Sequence, residues 1–229
     1  MRQQITIALV VALIAVLLTP SVALATDGPS HDVGTLGIGA PYGPANQDPN
    51  DPLRVLVTYR VRANGNLPAS AVDAVNAAIA AWEAAIDTLE IGGWDFDLVA
   101  FTGSPPDKPD IDIRLKRGGG LVAGQALSRF DQNGFRVGAK IIISGSFLGT
   151  ASEAVTIKEI AMHELGHALS LGHHSNEDDL MGRTVGHAAG LPITSISVCD
   201  LGGFEEAHHW LTTEVSSTPH LNHVTSINC

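Results

Sequence analysis

The sequence is short of cysteine, of cations and of long apolar stretches, and each shortage closes off a class of function. Of 229 residues only Cys199 and Cys229 are cysteine, so one disulfide is the most the chain can make, and neither residue sits in a metal-ligand spacing. Lys and Arg number 13 against 24 Asp and Glu, a formal net charge of −11. Such a surface repels nucleic acid and anionic lipid instead of gathering them. Beyond residue 25 no apolar run approaches the ~20 residues that a membrane-spanning helix needs. Gly118-Gly119-Gly120 lacks the Lys-Ser/Thr pair and the helix of a phosphate loop, and there are no internal repeats.

What is present begins with a leader. Arg2, the uncharged apolar run from Ile5 to Leu18 and the small-x-small signal Ala23-Leu24-Ala25 read as a secretory signal peptide over residues 1–25, with cleavage near Ala25. An exported, extracellular chain without membrane insertion is expected, and in an oxidising compartment Cys199 and Cys229 pair. The loop they close, about 30 residues long, adds on the order of 3–4 kcal/mol by restricting the unfolded chain. The rest of the chain suffices for one sizeable core and is too short for two comfortable domains.

Residues 26–51 are rich in Gly, Pro, Asn and Asp without apolar periodicity, and read as an N-terminal arm or short propeptide. Arg54 to Val61 alternates and is β-branched, predicting a strand. From Pro68 to about Thr88 the apolar residues Val72, Val75, Ile79, Trp82 and Ile86 recur at gaps of three and four. That spacing predicts an amphipathic helix, with Ser70 and Asp73 shaped like a capping box. Strands are predicted over 94–102, 110–116, 121–130 and 135–144, the last two joined as a hairpin through Asn133-Gly134. A second helix is predicted from about Glu153 to Leu171, capped by Ser152. A third runs from about Val198 to Leu211, with Ser197 and Asp200 as its capping box. Strand, helix, strand, strand points to an α/β or α+β sheet domain, and residues 212–229 form a polar tail held by the disulfide.

The chemistry lies on the second helix, in His163-Glu164-Leu165-Gly166-His167. Histidines four apart emerge from one helix face, one turn above the other, and can grip a single tetrahedral ion. Glu164, displaced by about 100 degrees, falls beside such an ion, where a general base for a water held by the metal belongs. A third ligand is still needed to leave one position open. His173, just past Gly172 where the helix must end, can swing back onto the ion; His174 is its competitor. Asp178 or Asp179 is the alternative third ligand. His187, His208, His209, His220 and His223 read as surface or hydrogen-bonded rings, because adjacent helical residues such as His208 and His209 diverge too far to chelate. Arg114, Lys116 and Arg117 read as a solvated strand edge.

The run HELGHALSLGH from His163 to His173 resembles the metzincin motif HExxHxxGxxH, with Ser170 at the family's glycine, and among metzincins the matrixin branch. Met181, eighteen residues after His163, resembles the methionine turn that supports the metal without binding it. The order of elements over residues 52–211 follows the matrixin catalytic domain as well. The resemblance implies an α+β fold with a twisted, mixed five-stranded sheet, an antiparallel edge strand and three helices. It implies a secreted zinc metalloendopeptidase acting as a monomer on protein or peptide substrates, with zinc on His163, His167 and His173 and Glu164 as the catalytic base. It places extended substrate along the edge strand at Leu121, Val122, Ala123 and Gly124.

Two family features have no counterpart. No histidine lies between Asp32 and Met162, so one zinc is expected without the family's structural second. No cysteine precedes the catalytic region, so the cysteine latency switch is missing, and Asp27 or Asp32 is the candidate to cap the metal instead. Asp110, Asp112, Asp131 and Asn133 are the candidate ligands for structural Ca2+, against the commoner fate of solvated turn carboxylates. The alternative class is a non-catalytic secreted zinc-containing binding protein on the same scaffold.

Overall fold

The computed structural model describes residues 34–89, 94–104, 106–118, 122–183, 192–193, 195–211 and 225–229. In chain order the elements are β1 (Thr35–Ile38), β2 (Gln47–Asp48), β3 (Asp51–Asn64), α1 (Ala69–Ile86), β4 (Asp95–Ala100) and β5 (Ile111–Arg117). They continue with β6 (Ala123–Phe130), β7 (Arg136–Gly145), α2 (Ala151–Ala168), β8 (Leu171–His174), α3 (Val198–Ala207) and β9 (Ser226–Asn228).

Five strands form the body of the main sheet, in the order β4-β3-β5-β7-β6, and the two-residue β2 adds a sixth, antiparallel to the start of β3. Tyr59 fixes this order, because it partners Ala100 of β4 on one side and Ile111 of β5 on the other. β3, β4, β5 and β7 run parallel, and β6 alone of the five is antiparallel. Alternation supplies the buried face: Val55 and Val57, Ile111, Ile113 and Leu115, and Ile141 and Ile143 all lie in the core. α1 and α2 cover that face, α1 burying Val75, Ile79 and Trp82 and α2 burying Ile157, Ile160 and Leu165. The α+β fold with a mixed five-stranded sheet, an antiparallel edge and three helices is therefore as expected.

The caps differ from expectation at two helices. α1 begins behind Pro68 with no side-chain cap, so Ser70 and Asp73 form no capping box; Pro68 fixes the entry backbone and has no N–H to satisfy. At α2 the cap is Thr150, whose hydroxyl accepts from the Glu153 N–H at 3.2 Å, while the Glu153 carboxylate accepts from the Gly149 N–H. Ser152 lies already inside the first turn. α3 keeps its expected box, Ser197 and Asp200 capping each other reciprocally.

A second, three-stranded sheet has the order β8-β1-β9. It joins segments that periodicity does not connect: β1 from the expected arm, β8 from the end of the helix motif, and β9 from the tail. The disulfide Cys199–Cys229 ties the end of β9 to α3, and the Cys229 N–H donates to the Gly34 carbonyl. Leu36 of β1 is fully buried, packing where Gly203 of α3 has no side chain. Residues 34–51 thus enter the body through β1 and β2, whereas 26–33, including Asp27 and Asp32, lie outside the described residues.

Candidate metal centre

α2 presents His163 and His167 on one face and stops one residue after Ala168, at the C-cap Leu169. Ser170 then turns the chain at φ 83, a left-handed conformation that favours glycine and costs a serine about 1 kcal/mol or more. That turn brings β8 back across the helix end. The ligating atoms of His163, His167 and His173 converge to within 4.8 Å of one another. His163 is buried, His167 half-buried and His173 exposed, so the cluster has one open side.

Each helical imidazole is held for metal binding by its far nitrogen. His163 Nδ1 lies 2.7 Å from the Leu180 carbonyl and His167 Nδ1 lies 2.9 Å from the Leu171 carbonyl. A proton on Nδ1, donated to carbonyl oxygen, leaves Nε2 with its lone pair free toward the cluster. Burial lowers the His167 pKa to about 4, with Leu171 opposing the shift and the neighbouring His163 and His173 adding to it. The ring is neutral at physiological pH, as a ligand must be. The residues present therefore fit a tetrahedral N-donor site for zinc.

Met181 lies fully buried beneath α2, and Gly166 makes room for it. A Cβ at Gly166 would collide with the Met181 sulfur and sit 3.3 Å from the Trp82 ring. The Met181 carbonyl accepts from the His174 N–H at 2.7 Å, tying the segment around Met181 to β8. From the other side Trp82 Nε1 donates to the Met162 carbonyl at 2.9 Å, so α1 braces α2 next to His163.

Glu164, about 100 degrees round the helix from His163, points toward β6. A Cβ on Gly124 would lie 2.6 Å from the Glu164 Cγ and from Ile160 Cγ2. Burial pushes the Glu164 carboxyl up to about 7, against a hydrogen bond from the Ala126 backbone that pulls it down. A carboxyl balanced near neutrality is suited to take and return a proton. β6 lies at the end of its sheet with β7 as its only strand partner among the described residues. Its outward edge runs past Glu164.

The family model for matrixins matches residues 53–209, most of the chain. The chain belongs to the matrixin family. No curated protein matches this matrixin's sequence. Among solved structures it is similar to high choriolytic enzyme 1, a hatching-enzyme zinc protease from the medaka fish Oryzias latipes. Identity is 17%, the TM-score is 0.32, and the alignment covers 58% of this chain and 50% of that one. The matrixin thus spans about half the length of that enzyme.

In this matrixin the remaining candidates fall as follows. Asp178 and Asp179 are not gathered with the histidines. Asp179 is buried, accepts from the Met181 N–H at 2.9 Å and lies beside the Asp200 carboxyl. His174 faces away from the cluster and joins Cys199 and Cys229. Leu121 lies outside the described residues, Val122 precedes β6, and Ala123 and Gly124 open it.

The candidate calcium ligands are engaged by protein donors. Asp110 accepts from the Thr58 N–H and hydroxyl, Asp112 is ion-paired with Arg62 and Arg114, and Asp131 accepts from the Asn133 and Phe135 N–H groups. Arg114 is thereby paired, and Arg117 donates to the Asn66 carbonyl. His208 departs from the surface reading. It is fully buried, its Nε2 accepts from the Tyr42 N–H, its Nδ1 meets the Phe204 carbonyl, and Phe96 and Phe204 pack on it. Its hydrogen bonding is the ordinary fate of a lone histidine; its burial depends on residue 42, far away in sequence. His187, His220 and His223 lie outside the described residues. Among those described, no helix is long and apolar enough to cross a membrane.

Sequence reasoning missed three residues of the site. Gly124, expected as a substrate contact, also makes the space for Glu164. Gly166 reads as an ordinary x in HExxH, yet it admits Met181. Ser170 was read as a departure from the motif without its compensation: its hydroxyl donates to the Ala40 carbonyl at 2.8 Å and its own carbonyl accepts from the Gly39 N–H.

Proposed function

We propose that this matrixin is a secreted zinc metalloendopeptidase. The leader at residues 1–25 is removed on export, residues 52–211 form the catalytic unit, and 212–229 are a tail tied by Cys199–Cys229. His163, His167 and His173 hold one zinc, and Met181 supports them from below. The observation that carries this reading is the convergence of three imidazoles with an open side next to a buried carboxyl balanced near neutrality.

Zinc, when bound, supplies Lewis acidity that activates water and polarises the scissile carbonyl. Glu164 accepts the proton of the attacking water on its carboxylate and returns it to the leaving amine, the bond to the Ala126 backbone holding its orientation. The free edge of β6 lines extended substrate up antiparallel or parallel to the sheet by backbone hydrogen bonds, so that a peptide at Ala123 and Gly124 passes directly over Glu164. The half-buried and exposed sides of His167 and His173 leave that approach open.

The test is a cleavage profile on a proteome-derived peptide library, with bound zinc quantified on the same sample. The expected result is one zinc per chain and new N-termini that vanish with a chelator and in Glu164→Gln. Full zinc occupancy without cleavage would favour the zinc-containing binding protein. Absence of stoichiometric zinc would overturn both.

A further inference from the structure

β8 carries two adjacent histidines, and a strand sends neighbouring side chains to opposite faces. His173 goes to the cluster on α2. His174 goes inward, where its ligating atoms and those of Cys199 and Cys229 all lie within 4.8 Å of one another. His174 is 1% exposed, and its Nε2 is buried with no hydrogen-bond partner among the described residues. An unpaired imidazole nitrogen in such a place costs about 1–3 kcal/mol, which the fold accepts for no purpose evident in the disulfide form.

We propose that His174, Cys199 and Cys229 form a second metal site, which takes zinc or a cation of similar softness when the Cys199–Cys229 disulfide is reduced. The site shares no residue with the catalytic cluster and does not depend on the activity proposed above.

Three features support it. His174 Nδ1 accepts from the Asn176 N–H at 3.1 Å, with the Asn176 carbonyl oxygen 3.4 Å away. With Nδ1 accepting, the ring proton sits on Nε2, the buried nitrogen without a partner; on metal binding that proton moves to Nδ1, which turns from the Asn176 N–H to the Asn176 carbonyl, and Nε2 gives its lone pair to the metal. Position 34 is glycine, and a Cβ there would lie 2.6 Å from the His174 Cε1 and 3.0 Å from Nε2, so only glycine leaves the ring edge in place. Cys199 is nearly buried on α3 and Cys229 is exposed after β9, their Cα atoms 5.5 Å apart. Two thiolates in a tetrahedral zinc site stand about 3.8 Å apart, a separation side-chain rotation reaches from this backbone.

The chemistry balances. Two equivalents of a small thiol reduce the Cys199–Cys229 bond, leaving two protein thiols and the disulfide of the reductant. Binding of the divalent cation then releases the two thiol protons, and Nε2 of His174 supplies the third ligand with one position left for water. Exposure of Cys229 gives the reductant access. The metal would replace a covalent tie between β9 and α3 by one that also includes β8, the strand that delivers His173. Loss of the disulfide would then leave the catalytic ligand anchored.

The experiment compares metal content of the full mature chain before and after reduction by a phosphine, removed by desalting under nitrogen, with zinc and then cobalt(II) as probes. The expected result is an increment of one equivalent on reduction, with a thiolate-to-cobalt charge-transfer band. The increment should be absent in a Cys199→Ser/Cys229→Ser chain, and its affinity at least about tenfold weaker in His174→Ala. Reading the increment, not the total, keeps failure of this site separate from failure of the catalytic zinc. Near-ultraviolet circular dichroism covers the case in which reduction unfolds the chain: recovery of the folded spectrum on adding zinc supports the site. No increment, an increment undiminished in His174→Ala, or a reduced chain that stays unfolded in excess zinc would overturn it.

Discussion

Gly37 and Gly172 meet backbone to backbone where β1 pairs with β8: a Cβ on Gly172 would lie 3.0 Å from both the Cα and the carbonyl carbon of Gly37. The next residue in the chain is His173. The segment before the catalytic region is therefore pressed against the strand that presents the third imidazole, and the two share the fate of that contact.

Gly172→Ala should push β1 and β8 apart and displace His173. We expect zinc affinity to fall at least about tenfold, as when groups that orient a ligand are disturbed, measured by competition with a chromophoric chelator. Gly37→Ala meets its neighbour at 3.3 Å and should cost less. Equal zinc affinity in Gly172→Ala and the parent chain would show that β1 does not position His173.

Ser170 separates backbone strain from hydrogen bonding. Ser170→Ala keeps the left-handed φ of 83 and loses the bond to the Ala40 carbonyl, costing about 1 kcal/mol of stability. Ser170→Gly loses the same bond but relieves a strain of about 1 kcal/mol or more, and should come out near the parent. Chemical denaturation of the three chains gives the order. If glycine proves as destabilising as alanine, the hydroxyl bond outweighs the strain and Ser170 is not a compensated substitution.

How much of this was legible follows from how local each interaction is. His163, Glu164 and His167 occupy one helix turn and a half, so their geometry was fixed once the helix was. The strands β3, β5 and β7 announced themselves by alternation because one face of each is buried. β1 could not: four residues, one of them buried Leu36, pair with partners more than 130 positions away, and no period links them. Thr150 displaced Ser152 as the cap of α2 because Gly149 and Glu153 complete its turn, a choice between two hydroxyls two residues apart that composition does not make. Asp131 and Asp112 looked available for a cation until the structure supplied their backbone and arginine partners.

Gly124 tests the base. Gly124→Ala places a methyl group against the Glu164 carboxylate and Ile160, where only a shift of the catalytic side chain relieves the overlap. The expected loss is in kcat, about 100-fold, since misplacement of a reacting group by about 1 Å costs that much. Zinc content should be unchanged, because the atoms nearest a Gly124 Cβ belong to Glu164 and Ile160 and not to the imidazoles. A fall in KM alone, or no kinetic change, would place Glu164 farther from β6 than the geometry requires.

Asp179 and Asp200 form a buried acid pair that links the methionine turn to α3. Both are nearly without solvent exposure, and burial, reinforced by the charge of Asp179, raises the Asp200 carboxyl far above the ordinary aspartate range. Asp200 therefore keeps its proton at neutral pH. A carboxyl whose folded pKa is raised contributes stability that is complete below the pKa of the unfolded chain and is lost as pH rises through the raised value. Above the ordinary aspartate range, each pH unit up to that value removes as much as about 1.4 kcal/mol. Asp200→Asn keeps an acceptor for the Ser197 N–H and gives Asp179 a permanent donor, so it should match the parent at or below about pH 4 and become progressively more stable than it from there toward pH 8. Denaturation midpoints of the two chains across that range decide the matter. A constant difference between them would mean that Asp200 does not hold its proton in the folded state.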